Sequence, residues 1–202
     1  MTPSSRYAIY LIPPYSISRD VTEIHAQLEK QFGLKAAGRF QVHATINGFF
    51  KKTPGPQAPI IERLDAVFVA QRSFNVQFIG YRIDDVGIGL NLAALEAEGD
   101  ELLAFRERVV DAVRPNIAPD CDFAASDLGP PFEAHITLAF RDIPTDLYDQ
   151  VLPWLADAPV PTGSFTATTY HFLEFTSDQW DGAWWEDLRW RRLKSWQLEP
   201  KS

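Results

Sequence analysis

Two short stretches of the chain combine residue types that can move protons. Phe40-Gln-Val-His43-Ala-Thr45-Ile46 and Phe132-Glu-Ala-His135-Ile-Thr137-Leu138 share one pattern: Phe, two residues, His, one residue, Thr, then an aliphatic residue. They stand about half the chain length apart. The ordinary pKa of histidine lies near neutrality, so one imidazole can take a proton from a nucleophile while another gives one to a leaving group. A threonine hydroxyl beside each can donate to phosphoryl oxygens. Two imidazoles and two hydroxyls therefore suit the displacement of an oxygen at phosphorus by water. Either stretch alone is a weak signal; the matched pair is far more specific. No Gly-x-Ser-x-Gly elbow marks an acyl-transfer nucleophile, and Glu133 alone gives thin carboxylate support for a two-histidine metal site.

These residues must be positioned by strands. Side chains two apart on a strand share a face, so His43 projects with Thr45 while Val42, Ala44 and Ile46 point the other way. His135 and Thr137 project together, opposed by Ala134, Ile136 and Leu138. The apolar set belongs in a core under helices, which leaves each His-Thr pair facing a cleft. Around the motif strands (Phe40 to Phe50 and Glu133 to Phe140), further strands are expected over Tyr7 to Ile12, Ser73 to Ile83, Val86 to Leu92, Phe165 to Phe175 and Leu188 to Leu198. Helices are expected over Asp20 to Phe32, with Asp20 and Glu23 at its N-terminus and Gly33 as its stop. Others carry Ile60, Leu64, Val67 and Phe68, then Leu102, Phe105, Val109 and Val113, and a fourth spans Thr145 to Leu155. The order strand, helix, motif strand, helix, strand occurs twice. The reading is α+β and bilobal with a pseudo-two-fold axis: two mainly antiparallel sheets, helices on the outer faces and a central cleft. It is one domain over 1–202, with lobes of about 1–83 and 84–202 between which the chain can cross.

In these two motifs the chain resembles the 2H phosphoesterase superfamily, which includes 2′-5′ RNA ligase-like proteins and RNA cyclic phosphodiesterases. The resemblance implies His43 and His135 as the acid/base pair, the first acting on the leaving oxygen and the second on water. It implies Thr45 and Thr137 as phosphate-binding hydroxyls, no cofactor and no metal, and a 2′,3′-cyclic nucleotide or an RNA end as substrate. The tryptophan-rich stretch from Trp180 to Trp196 matches no defined branch.

Other residues divide between binding and bland roles. Lys51 and Arg141 follow the two motif strands, where a cleft mouth would offer a phosphate a cation. Tyr170 and His171 are candidates to line the cleft. Tyr7, Tyr10, Tyr81, Trp184 and Trp185 are rings on which a base could stack. His25 reads as a surface residue, and Phe40, Phe49, Phe132 and Phe140 read as core.

Composition narrows the partners. A net charge of −8 over 202 residues disfavours a surface built to grip long nucleic acid, while leaving room for a small anion in a locally basic cleft. The single cysteine, Cys121, excludes an internal disulfide and fits a reducing compartment, so a cytoplasmic location is expected. Tyr7 to Ile12 is too short for a signal or a membrane span. The expected partner is a nucleotide or short RNA, with no membrane and no obligate protein partner. Two further functions compete with hydrolysis: a nucleotide- or RNA-binding module without turnover, and the joining of RNA ends through a 2′-5′ linkage.

Overall fold

The computed structural model describes residues 5–95, 99–121 and 132–201. In chain order the elements are β1 (Arg6–Ile12), α1 (Tyr15–Phe32), β2 (Ala44–Phe50), α2 (Ala58–Ala70), β3 (Phe74–Ile83), β4 (Gly87–Ala94), α3 (Glu101–Val113), β5 (His135–Phe140), α4 (Tyr148–Asp157), β6 (Ser164–Ala167), β7 (Thr169–Thr176) and β8 (Arg189–Gln197). The helix α1 starts five residues before Asp20, immediately after Pro13-Pro14, where proline's fixed φ suits a first turn. It stops as expected: Gly33 is left-handed at φ 74, and the Gly33 and Leu34 amides donate back to Glu29 and Leu28.

All strand pairs within the sheet are antiparallel, in the order β6-β3-β4-β5-β2-β1-β7-β8. The α+β class and the two-fold layout hold, with one refinement. The two expected sheets are halves of a single eight-stranded sheet, joined where β2 meets β5 through one pairing, Ala44 with Ile136. The motif strands are therefore the two central ones. A boundary near residue 83 does not separate the halves, because β3 lies with β4 and β5 while β7 and β8 return to β1.

The stretch expected as one strand from Phe165 to Phe175 breaks at Thr168. Its first part, β6, pairs with β3 at one edge of the sheet; its second, β7, lies between β1 and β8 near the other. Only one residue separates β6 from β7, so the two ends of the sheet must approach each other and the sheet must curl.

Alternation along the strands sorts the side chains between the two faces of this curl. Tyr7, Ile9 and Leu11 of β1, Ala44 and Ile46 of β2, Ile136 and Leu138 of β5, and Tyr170 and Phe172 of β7 join one core with Val21, Ile24 and Leu28 of α1, Leu64 and Phe68 of α2, Phe105 and Val109 of α3, and Val151 and Leu155 of α4. Burying each such Leu, Ile or Phe contributes about 1.5–3 kcal/mol. The helices also cross the seam: α1 packs against β5, and α3 against β2. Residues of the other parity, Ala8, Tyr10, Leu173 and Phe175, cluster on the opposite face with Phe40, Phe49 and Trp180.

Tyr170 falls on the core side, which corrects its assignment to substrate. It is fully buried, with ring centroids 5.2 Å from Phe68 and 5.1 Å from Phe105. Among the described residues none bonds its hydroxyl, and burial pushes the phenol's pKa far up. Removing an unsatisfied buried hydroxyl stabilises by about 1–3 kcal/mol when packing is kept. Tyr170→Phe is accordingly expected to raise the melting temperature and leave ligand binding untouched; a variant that melts lower would show that the hydroxyl has a partner.

Candidate active site

The motif histidines and threonines line a single cleft of about 380 Å³, to which His25 of α1 and Arg106 of α3 also contribute. Val42, Ala44 and Ile46 opposite the first pair are buried, as are Ala134, Ile136 and Leu138 opposite the second. Asp142 helps set the entry to β2: its carboxylate accepts the Lys35 and Ala36 amides at 2.7 and 2.8 Å, tying the end of α1 to the end of β5.

Each histidine is oriented in the same way. Nδ1 of His43 lies 2.7 Å from the Gln41 carbonyl, and Nδ1 of His135 lies 2.9 Å from the Glu133 carbonyl. A carbonyl only accepts, so Nδ1 carries the hydrogen in both rings and Nε2 is left as the lone-pair nitrogen. The bond to the residue two before sets both tautomers. Neither threonine hydroxyl is engaged by another described residue, which leaves two donors available beside the rings.

Burial holds both imidazoles neutral. The pKa of His43 falls to about 3, chiefly through desolvation, with His135 and His25 adding to the depression and the Gln41 carbonyl opposing it. The pKa of His135 is also lowered, first by burial and further by the Arg82 cation, against the pull of Asp84 and Glu133. The walls differ. Tyr10 stacks on His43 with centroids 3.5 Å apart and planes 14° from parallel. His135 instead meets Arg82, whose Nη1 lies 3.2 Å from Nε2 and 3.3 Å from Nδ1. Arg82 is itself held by Asp84 at 2.7 Å and Glu133 at 3.3 Å.

The remaining assignments divide. Arg141 lines the cleft: a left-handed residue at φ 54, it ends β5 and places its guanidinium 5.6 Å from the Phe140 ring centre. Lys51 does not reach the cleft, because its ammonium bonds the Asp120 carbonyl at 2.9 Å and carboxylate at 3.1 Å. His171 is buried behind the cleft, its Nδ1 3.0 Å from Oε1 of Gln41. Of the stacking candidates, Tyr10 and Trp184 line the cleft, while the Tyr7 hydroxyl donates to Glu174 and that of Tyr81 to the Leu155 carbonyl.

His25 is not a surface residue. It is buried in α1 and donates from Nε2 to the Thr137 carbonyl at 2.9 Å, bracing the second motif from the helix side. Phe40, Phe49 and Phe140 also depart from expectation, since they line the cleft rather than the helix-covered core, while Phe132 lines the cleft and packs against that core as well. Phe40, Phe49 and Phe140 build an aromatic wall around Trp184, with centroids 6.1, 5.4 and 6.0 Å from it. Trp184 comes from the β7–β8 connection, where Asp187 accepts the Ser177 hydroxyl and the Asp178 amide.

Arg82, Arg106, Asp84 and Gly89 also line the cleft and were missed by sequence reasoning. Arg82 and His135 are 53 positions apart, and only the pairing of β3, β4 and β5 brings them together. Gly89 carried a usable signal, since a glycine inside a strand marks close approach. A Cβ there would stand 2.9 Å from Cδ2 of His135. Among the described residues, no three His, Cys, Asp or Glu side chains group as metal ligands would, and no helix is long and apolar enough to cross a membrane.

The architecture places the protein in a known structural class. It is similar to TT0787 of Thermus thermophilus, at 16% identity and a TM-score of 0.62 over 98% of this chain and all of that one. E. coli LigT in its ATP complex is 15% identical with a TM-score of 0.56, and in its 3′-AMP complex 16% identical with a TM-score of 0.54; the alignments cover 98% and 97% of this chain and 99% of LigT. None of the curated proteins compared with the chain matches it. The family model of the 2′-5′ RNA ligase superfamily matches residues 13–179, and the chain belongs to that superfamily.

The close approach at Gly89 can be tested directly. Gly89→Ala is expected to fold with a loss of about 1–3 kcal/mol, the usual cost of overpacking, and to shift the His135 ring resonances in NMR while leaving those of His171 in place. Unmoved His135 resonances would show that the ring does not depend on the glycine.

Proposed function

We propose that the protein hydrolyses a cyclic phosphodiester, a 2′,3′-cyclic nucleotide or the cyclic end of an RNA, by two-histidine acid/base catalysis without a metal. The observation that carries this reading is the matched presentation of two Nε2 atoms and two threonine hydroxyls to one cleft. One imidazole takes a proton from water as its oxygen bonds to phosphorus. The other gives a proton to the ribose oxygen as its P–O bond breaks. Thr45 and Thr137 donate to the non-bridging oxygens, where charge accumulates. Arg141 stands at the rim as a cation for the phosphate, and the aromatic wall offers a nucleobase a face to stack on. The similarity to E. coli LigT, crystallised with 3′-AMP and with ATP, supports a nucleotide as the ligand. Since the superfamily carries the name of a ligase, end-joining is the second reading: a 5′-hydroxyl would replace water in the same displacement.

The test is hydrolysis of 2′,3′-cyclic mononucleotides and cyclic-ended oligonucleotides in EDTA. His43→Ala and His135→Ala are each expected to lower kcat by about 10²–10⁴-fold, the usual contribution of a positioned acid or base. Activity that survives either substitution would overturn the assigned roles. A linked product formed from a cyclic end and a 5′-hydroxyl end would favour joining.

The pH profile follows from the lowered histidine pKa values. Turnover needs one imidazole protonated and one neutral. As pH rises through the acid's lowered pKa its proton is lost, and as pH falls through the base's lowered pKa that imidazole is protonated, whichever ring holds each role. The bell in kcat/KM is therefore expected on the acid side of 6.5, the ordinary histidine value, and a maximum on the alkaline side of neutrality would contradict it.

A further inference from the structure

The two halves of the cleft correspond strand for strand, and the correspondence breaks chemically in one place. In the first half Thr45 is paired with Tyr10, and Tyr10 with His171. In the second half Thr137 is paired with Gly89, and Gly89 with Arg82. Both ladders carry an irregularity at the same point, between Ile9 and Tyr10 and between Ile88 and Gly89. The residue two before each histidine closes the parallel. Gln41 meets His171 at 3.0 Å, and Glu133 meets Arg82 at 3.3 Å. Gln41, Tyr10 and His171 thus answer to Glu133, Gly89 and Arg82, an aromatic and uncharged row against a charged one.

What stands at the middle position decides what can reach the histidine. The Tyr10 ring fills the space beside His43. Gly89 offers no side chain, so the His135 ring packs directly against its backbone, where a Cβ would stand 2.9 Å from Cδ2, and Arg82 reaches that ring from the next strand. Arg82 Nη1 is nearly equidistant from the two ring nitrogens, 3.2 Å from Nε2 and 3.3 Å from Nδ1, so the guanidinium lies across the imidazole and not along one lone pair. Nε2 is the atom that has to hold or take the catalytic proton. With its side chain 35% exposed, Arg82 remains open to an incoming anion. A guanidinium bonds phosphate oxygens in paired, charge-assisted geometry, which a neutral imidazole nitrogen cannot match.

We propose that Arg82 covers the His135 ring, Nε2 included, in the ligand-free protein and transfers to the phosphoryl oxygens when a phosphodiester enters, uncovering Nε2 for proton transfer. This deepens the phosphoesterase reading and rests on it. Arg82 is then a phosphate ligand and the positioning residue of His135 in turn, and His43, behind Tyr10, has no counterpart to it.

The test uses histidine ring NMR of the full chain, titrated with inorganic phosphate at constant ionic strength, for wild type, Arg82→Gln and Arg82→Lys. In wild type, phosphate is expected to shift the His135 Nε2 resonance and raise the ring's pKa. In Arg82→Gln, the ligand-free His135 pKa is expected to lie above that of wild type, with phosphate bound about tenfold or more weakly. Arg82→Lys is expected to recover part of that affinity, and the His43 pKa should not move in either variant. Phosphate affinity unchanged in Arg82→Gln, no response of His135 to phosphate in wild type, or equal displacement of both histidines by the substitution would each overturn the proposal. An Arg82-dependent phosphate response in a protein that turns over no cyclic phosphate would sustain it and sink only the hydrolytic reading.

Discussion

At the seam between β2 and β5 the pleat of two strands has to serve opposite environments. One parity faces the helices and is wholly apolar; the other faces the cleft and carries His and Thr. The strands touch through a single backbone pair, Ala44 with Ile136, small and aliphatic residues whose burial holds the halves together. A slip of one residue in either strand would turn its histidine into the core and its alanine or isoleucine into the cleft. The remaining architecture braces this register: α1 packs across onto β5, α3 across onto β2, and Asp142 ties the end of β5 to the chain entering β2.

Electrostatics in the cleft is local. The chain is acidic as a whole at −8, yet Arg82, Arg106 and Arg141 line the one cavity that also holds both motifs. Desolvation keeps the imidazoles neutral, and the carbonyl two residues back selects which nitrogen faces the ligand. These effects are coupled: the burial that depresses the pKa also removes the water that would compete for Nδ1. Asymmetry between the halves arises beside the rings, where a tyrosine in one strand answers to a glycine in the other.

Much of the fold was legible from local pattern, because alternation and helical stripes report directly on which face is buried. Both motif strands, the four α-helices among the described residues and the facing of His43, Thr45, His135 and Thr137 came from that pattern. The errors have a common origin in the second buried face. Phe40, Phe49 and Phe140 looked like helix-side core because a cleft wall and a core use the same apolar side chains. Tyr170 and His171 are adjacent in sequence, yet parity sends one into the helix-side core and the other behind Gln41. His25 beside an apolar stripe gave no sign of its bond to a carbonyl 112 positions away.

By itself, then, the sequence determined which residue types were available and how each strand would present them, since the period of a strand is a property of its own backbone. Sheet order was a tertiary matter. It joined two halves into one curled sheet, broke the strand at Thr168, and set Arg82 beside Gly89 against His135. The physical reason is range: pleat and helical stripe act over a few residues, whereas cross-strand pairing joins positions that only the assembled core can hold in register.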